Sequence, residues 1–243
     1  MAADPKRTPD TLKLIKFGED IWLVSGPTLL VAGFPYPTRM VIIRLSDGSL
    51  FIWSPIVLPD EASFEAITEL GPVAYIVAPN GLHYSSLRLW KVWFPDAKFF
   101  APPGFPKGRL DLTFDGELAD TAPSAWAQDI DQVLVGGNLI TTEVVFFHKA
   151  SRTTIFCDLI QHFRPSDHQG WRATVARLDL LNGPEPAVPR KFRLAFVDRP
   201  AARAVLGRIL AWPTENVVFA HGAPIKGKGK AFLDRAFQWL LHT

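Results

Sequence analysis

Val73-Ala74-Tyr75-Ile76-Val77-Ala78-Pro79-Asn80-Gly81-Leu82-His83-Tyr84 is the stretch from which the rest of the chain can be read. Its first five residues are an apolar run of the length and kind that make a fully buried strand, and the run stops at Pro, Asn, Gly and His. A strand that ends in this way delivers polar side chains to the rim of a sheet, where α/β proteins hold their ligands. Two later strands end alike: Thr154-Ile155-Phe156-Cys157 runs into Asp158, and Val217-Val218-Phe219-Ala220 runs into His221-Gly222. Three strand ends thus offer His83, Asp158 and His221 as candidate metal ligands.

Upstream, residues 12–17 and 21–25 read as strands across the turn Gly18-Glu19-Asp20, and residues 28–32 continue the sheet. Residues 40–45 and 50–53 flank Ser46-Asp47-Gly48-Ser49, a strong hairpin signal. Acidic Asp60 and Glu61 open a helix that buries Phe64, Ile67 and Leu70 and stops at Gly71-Pro72. Downstream, Leu89, Trp90, Trp93 and Phe94 share one face of a helix closed by Pro95. That aromatic face is expected to pack on the sheet; binding of a lipid or another apolar molecule is the alternative. A strand over 98–101 completes a β-α-β unit.

Residues 132–135, 142–147 and 153–157 read as further strands. If the last two pair with Phe147 opposite Thr153, Glu143 falls opposite Cys157 and beside Asp158, which brings two carboxylates together. His148, in the turn between them, is expected in solvent. A helix is predicted over 170–181, a proline-rich linker runs to Pro189, and Asp198 caps a helix that reaches Leu210. A strand over 216–220 and a last helix over 231–241 follow. Residues 1–10 are polar and proline-bearing and are expected to form a flexible N-terminus; residues 11–243 are expected to form one domain.

With 26 Lys and Arg against 24 Asp and Glu, the net charge of +2 gives no reason to expect nucleic acid as a partner. No apolar run approaches the roughly 20 residues that span a bilayer, so stable membrane insertion is not expected, and the polar start suggests a cytoplasmic protein. The single Cys157 sits inside an apolar strand and reads as a buried structural thiol.

The order of these features resembles the metallo-β-lactamase fold, and within it the family of unknown function numbered 4336. The Arg44-Leu45-Ser46-Asp47-Gly48 hairpin, Trp53-Ser54-Pro55, the stretch from Ala78 to His83, Pro95-Asp96-Ala97-Lys98, Phe156-Cys157-Asp158 and Phe219-Ala220-His221-Gly222 carry the resemblance over nearly the whole chain from Leu12. It implies an α/β architecture, an αββα sandwich of two mixed β-sheets with outer helices and a metal site at the open edge. Active members of the wider fold usually show Thr-His-x-His-x-Asp-His where this chain has Ala78 to Tyr84, and only His83 remains here. Asp158 matches the bridging carboxylate, His221 matches the last histidine, and Glu143 stands nearest by order to a further histidine. The resemblance therefore implies a degenerate metal motif with one metal rather than two.

His83, Asp158 and His221, with Glu143 or Asn80, make a mixed nitrogen and oxygen set that suits one Zn, Fe or Mn ion. The expected function is metal-dependent hydrolysis of a small-molecule substrate, with Glu143 positioning or deprotonating water and Asp158 at the reacting centre. The alternative is a non-catalytic binding or scaffold protein with no metal, in which His83 and Asp158 cap loops and His221 packs between the last strand and helix.

Overall fold

A computed structural model describes residues 12–105 and 112–241. The expected flexible N-terminus, residues 1–10, lies outside the described residues. The chain starts with the antiparallel ribbon β1 (Leu14–Gly18), β2 (Ile21–Val31), β3 (Phe34–Arg44) and β4 (Leu50–Trp53). Helix α1 (Glu61–Thr68), β5 (Val73–Val77), α2 (Leu87–Trp93), β6 (Lys98–Ala101) and β7 (Gly116–Glu117) then extend the same sheet with parallel pairs. The second sheet holds β8 (Ile130–Val135), β9 (Glu143–His148) and β10 (Thr153–Gln161) in antiparallel order. Helices α3 (Trp171–Leu178), α4 (Arg190–Ala195) and α5 (Arg199–Leu210) precede β11 (Asn216–His221), which joins β10 in parallel. Helices α6 (Gly229–Ala236) and α7 (Gln238–Leu241) end the described chain.

Alternation along the strands builds three layers of core. Phe51, Trp53 and Val77 of the first sheet meet Val144, Phe146, Ile155 and Val218 of the second in the middle layer. Ile42, Ile52 and Ile76 point the other way, onto Ile67 of α1 and Leu87 and Trp90 of α2. On the far side, Val145, Phe156 and Val217 pack under Phe192, Leu206, Phe232 and Phe237. The result is an αββα sandwich of two mixed sheets. Trp90, Trp93 and Phe94 of the expected aromatic face join this packing, with Trp90 fully buried and its indole N–H donated to the Ile56 carbonyl at 2.7 Å, whereas Leu89 is exposed.

Most local signals hold. Asp60 and Asp198 cap α1 and α5, accepting backbone N–H bonds from Ser63 and Ala201. Three expectations are corrected. The β9–β10 register is Thr153 opposite His148, not Phe147, because four residues rather than five make the turn, which Arg152 closes at a φ of 50°. The linker up to Pro189 leads directly into α4, which sequence reading had not separated from it. The last helix is broken at Phe237, whose side chain is buried in the core, into α6 and α7. Among the described residues no helix is long and apolar enough to cross a membrane.

Candidate metal centre

β10 is regular only at its start. Its ladder with β9 is recorded from Thr153 to Ile155, and on its other side Phe156 pairs with Phe219 and Gln161 with His221. Between those two rungs four residues of β10 oppose one of β11, so residues 157–160 bulge out of the sheet. The bulge frees the N–H groups of Cys157, Asp158 and Leu159 from the ladder, and all three are taken by the Glu143 carboxylate at 2.8, 2.7 and 3.1 Å. Asp158 therefore stands at the sheet edge on a segment clamped by Glu143.

The stretch after β5 is fastened to the same place. Val144 donates its N–H to the Pro79 carbonyl at 2.8 Å, and Asn80 forms an isolated bridge with Glu143. Asn80 Nδ2 reaches Asp158 Oδ2 at 2.8 Å and Glu143 Oε2 at 3.3 Å. Asn80 Oδ1 accepts from the Leu82 N–H in a local turn. That turn carries His83 back over the sheet edge, and His221 arrives from the end of β11. After it, Gly222 has a φ of 131° and its α-carbon faces the His162 carbonyl so closely that a β-carbon would lie 2.6 Å from that oxygen.

The structure thus brings together all five residues singled out from the sequence. His83 Nε2 lies 3.3 Å from Asp158 Oδ2, and His221 Nε2 lies 3.3 Å from Asp158 Oδ1. Ligand atoms of His83, Asp158 and His221 all fall within 4.8 Å of one another. Each imidazole is oriented by its other nitrogen: His83 Nδ1 meets Ser54 Oγ at 2.7 Å and His221 Nδ1 meets the Pro37 carbonyl at 2.6 Å. Glu143, Cys157 and Asp158 form a second, adjoining cluster that is wholly buried.

Electrostatics follow from this arrangement. Burial works against the charged form of Asp158, yet the His83 charge and hydrogen bonds from His221 and His83 hold its carboxyl well below the usual range. Burial and the neighbouring Asp158 push Glu143 up to about 8, against three backbone N–H donors that favour its ionised form. Burial first, then the two carboxylates, raises the Cys157 thiol well above its ordinary value.

The donor set fits a metal ion. The carbonyl of Pro37 only accepts, so His221 Nδ1 carries a proton and Nε2 is left as a lone pair or takes a second proton. A bare lone pair 3.3 Å from an ionised carboxylate oxygen is repulsive, and a cation shared by the three groups removes that repulsion. Gln161 donates to Asp158 Oδ1 at 2.8 Å, while its own buried Oε1 has no hydrogen-bond partner among the described residues.

Sequence reading missed Ser54 and Gln161. Ser54 has a φ of 52°, an uncommon conformation for a residue other than glycine, and the signal for it was its place between the end of a strand and Pro55. Gln161 gave no signal, because nothing local marks the far side of a bulge. His148 is corrected: it is buried, not solvated, and bonds Ser151 Oγ through Nδ1 at 2.7 Å.

A sequence profile described as "Domain of unknown function (DUF4336)" matches residues 19–168, more than half of the chain. The chain belongs to the DUF4336 family. Comparison with curated protein sequences finds no significant match. Among solved structures, this DUF4336 protein is similar to the metallo-β-lactamase FIM-1 from Pseudomonas aeruginosa in its mono-zinc form, with 11% identity, 98% of this chain and 97% of that chain covered, and a TM-score of 0.65. It is also similar to the DIM-1 metallo-β-lactamase exposed to ceftazidime, with 14% identity, coverage of 96% and 98%, and a TM-score of 0.64. A metallo-β-lactamase from Pontibacter korlensis aligns with 14% identity, coverage of 96% and 100%, and a TM-score of 0.60. At these identities the likeness establishes the metallo-β-lactamase fold for this DUF4336 protein and nothing finer.

Proposed function

We propose that the protein is a hydrolase that works with one metal ion held by His83, Asp158 and His221. The observation that carries this reading is the pair of imidazole Nε2 atoms on opposite oxygens of one carboxylate, each ring fixed from behind. When bound, a zinc, iron or manganese ion supplies Lewis acidity and a nucleophile at neutral pH. The chain's own part is to hold that set rigid. Ser54 and the Pro37 carbonyl fix the ring orientations, Asn80 and Gln161 hold the two Asp158 oxygens, and Glu143 is a positioning residue that locks the bulge. With its oxygens taken by backbone N–H groups, Glu143 is poorly placed to take a proton from water, and Asp158 is the carboxylate nearest the reacting centre.

The same distances support a rival, a metal-free binding or scaffold protein in which both imidazoles are protonated and form ion pairs with Asp158. Metal analysis of protein purified without chelator separates the two. Wild type is expected to carry close to one equivalent of zinc, iron or manganese and His221→Ala much less. Equal, negligible metal in both proteins would sink the hydrolase reading and leave the ion-paired scaffold.

A further inference from the structure

The candidate centre opens into a cleft of about 620 Å³, within the range of small-molecule sites. Its walls are mostly apolar. Leu29, Leu30 and Val31 come from the β2–β3 hairpin, Leu82 from the turn before His83, and Ile140 from the loop before β9. Several of them are unusually exposed for their kind, Leu30 at 76% and Leu82 at 50%.

Among the described residues, Lys191 on α4 is the one lysine or arginine that lines this cleft. Asp179 holds it in place, accepting the Lys191 backbone N–H at 2.7 Å and lying 3.2 Å from Nζ. Nζ also donates to the Tyr36 hydroxyl at 3.3 Å, and the Tyr36 ring stands edge-on to His221 with centroids 5.1 Å apart. An ammonium has three donors, and these contacts use two. The Tyr36 hydroxyl, accepting from Lys191, keeps its own proton to donate. Burial works against the Lys191 charge, but Tyr36 and Asp179 outweigh it, so the side chain stays an ammonium at neutral pH.

We propose that the cleft binds apolar monocarboxylates, with the carboxylate on Lys191 and Tyr36 and the apolar body along Leu29, Leu30 and Ile140. The ammonium sets the class. Lys191 and Tyr36 also set the orientation, since they answer a carboxylate with charge and hydrogen bonds, while Leu29, Leu30 and Ile140 offer only apolar contact to a tail. A single ammonium already partly offset by Asp179 matches a monoanion and is too little for a phosphate dianion. That such a molecule is the substrate, carrying its hydrolysable bond between the carboxylate and the tail, rests on the hydrolase reading above; that the cleft binds it does not.

Octanoate and 1-octanol, titrated calorimetrically into protein stripped of metal by chelator, test the binding alone. Octanoate is expected to bind wild type at least ten times more tightly than octanol does. Lys191→Gln and Tyr36→Phe should each remove most of that preference, Lys191→Gln by about tenfold, while octanol affinity changes less than twofold. Should Lys191→Gln fail to fold, Tyr36→Phe and the loss of octanoate affinity at high salt decide. No preference for octanoate in wild type, or a preference unchanged in the variants, overturns the proposal whatever the metal analysis shows.

Discussion

Strand β9 carries a buried ionisable side chain at each end, and the fold treats the two in opposite ways. At one end His148 is matched by neutral partners: its Nδ1 meets Ser151 Oγ at 2.7 Å, Ser151 Oγ donates to Thr153 Oγ1 at 2.8 Å, and Thr154 and Thr214 share a hydrogen bond of 2.6 Å nearby. Burial pushes the His148 imidazole down to about 4, against the opposing pull of the Asp129 and Asp20 carboxylates, so the ring is neutral at pH 7. At the other end Glu143, Asp158, His83 and His221 crowd into one place with charges that only partly answer one another. A self-satisfied buried cluster has nothing left to offer a ligand. A cluster in which two imidazole nitrogens converge on one carboxylate does, which is why the second end reads as a candidate site and the first as structure.

The largest way to break this comparison is Glu143→Ala. It leaves three buried N–H groups of the β10 bulge without their acceptor, which should cost roughly 4 kcal/mol or more. Urea unfolding measures it, and a loss below about 1 kcal/mol would mean that Glu143 does not hold the bulge.

Acid tests the His148 end. Its folded-state pKa of about 4 lies below the ordinary 6.5 that it regains on unfolding. Well above pH 6.5 neither state is protonated and the contribution is constant; as pH falls through 6.5 toward 4 the unfolded chain takes up the proton first, and about 3 kcal/mol of stability is lost. Unfolding curves of wild type and His148→Gln between pH 7 and 4.5 should therefore converge, the variant losing less. Parallel curves would show that His148 is not the titrating group.

The smallest effect sharpens the metal end. Ser54→Gly relieves a left-handed residue while removing the hydroxyl that orients His83, so stability should stay within about 1 kcal/mol of wild type. Zinc affinity should fall about 10- to 100-fold. Unchanged affinity in a competition titration would separate Ser54 from the centre.

Much of the fold was legible because its strands are short apolar runs closed by Gly, Pro, Asn or Asp, and because Asp60, Asp198 and Asp47-Gly48 mark local geometry directly. The meeting of His83, Asp158 and His221 was legible as three strand ends. What escaped reading depends on contacts far apart in the chain. Whether His148 is wet or buried is decided by Ser151, Asp129 and the strands around it, not by its turn. The register slip at Phe147 and the bulge after Phe156 turn on one residue of loop length and on the Glu143 carboxylate, and periodicity reports neither. Ser54 was marked only by its place between a strand end and Pro55; its role escaped reading because its hydroxyl serves His83, 29 residues away.

Cys157 gives the bulge a further use. It is the chain's single cysteine, fully buried, with its thiol held protonated by burial and two flanking carboxylates. An alkylating reagent can reach that sulfur only when the clamped segment lets go, so the rate of labelling in native buffer is a clock for how often the centre opens. One mass increment at one known position would then time the breathing of the very backbone that carries Asp158, without any reporter having to be introduced.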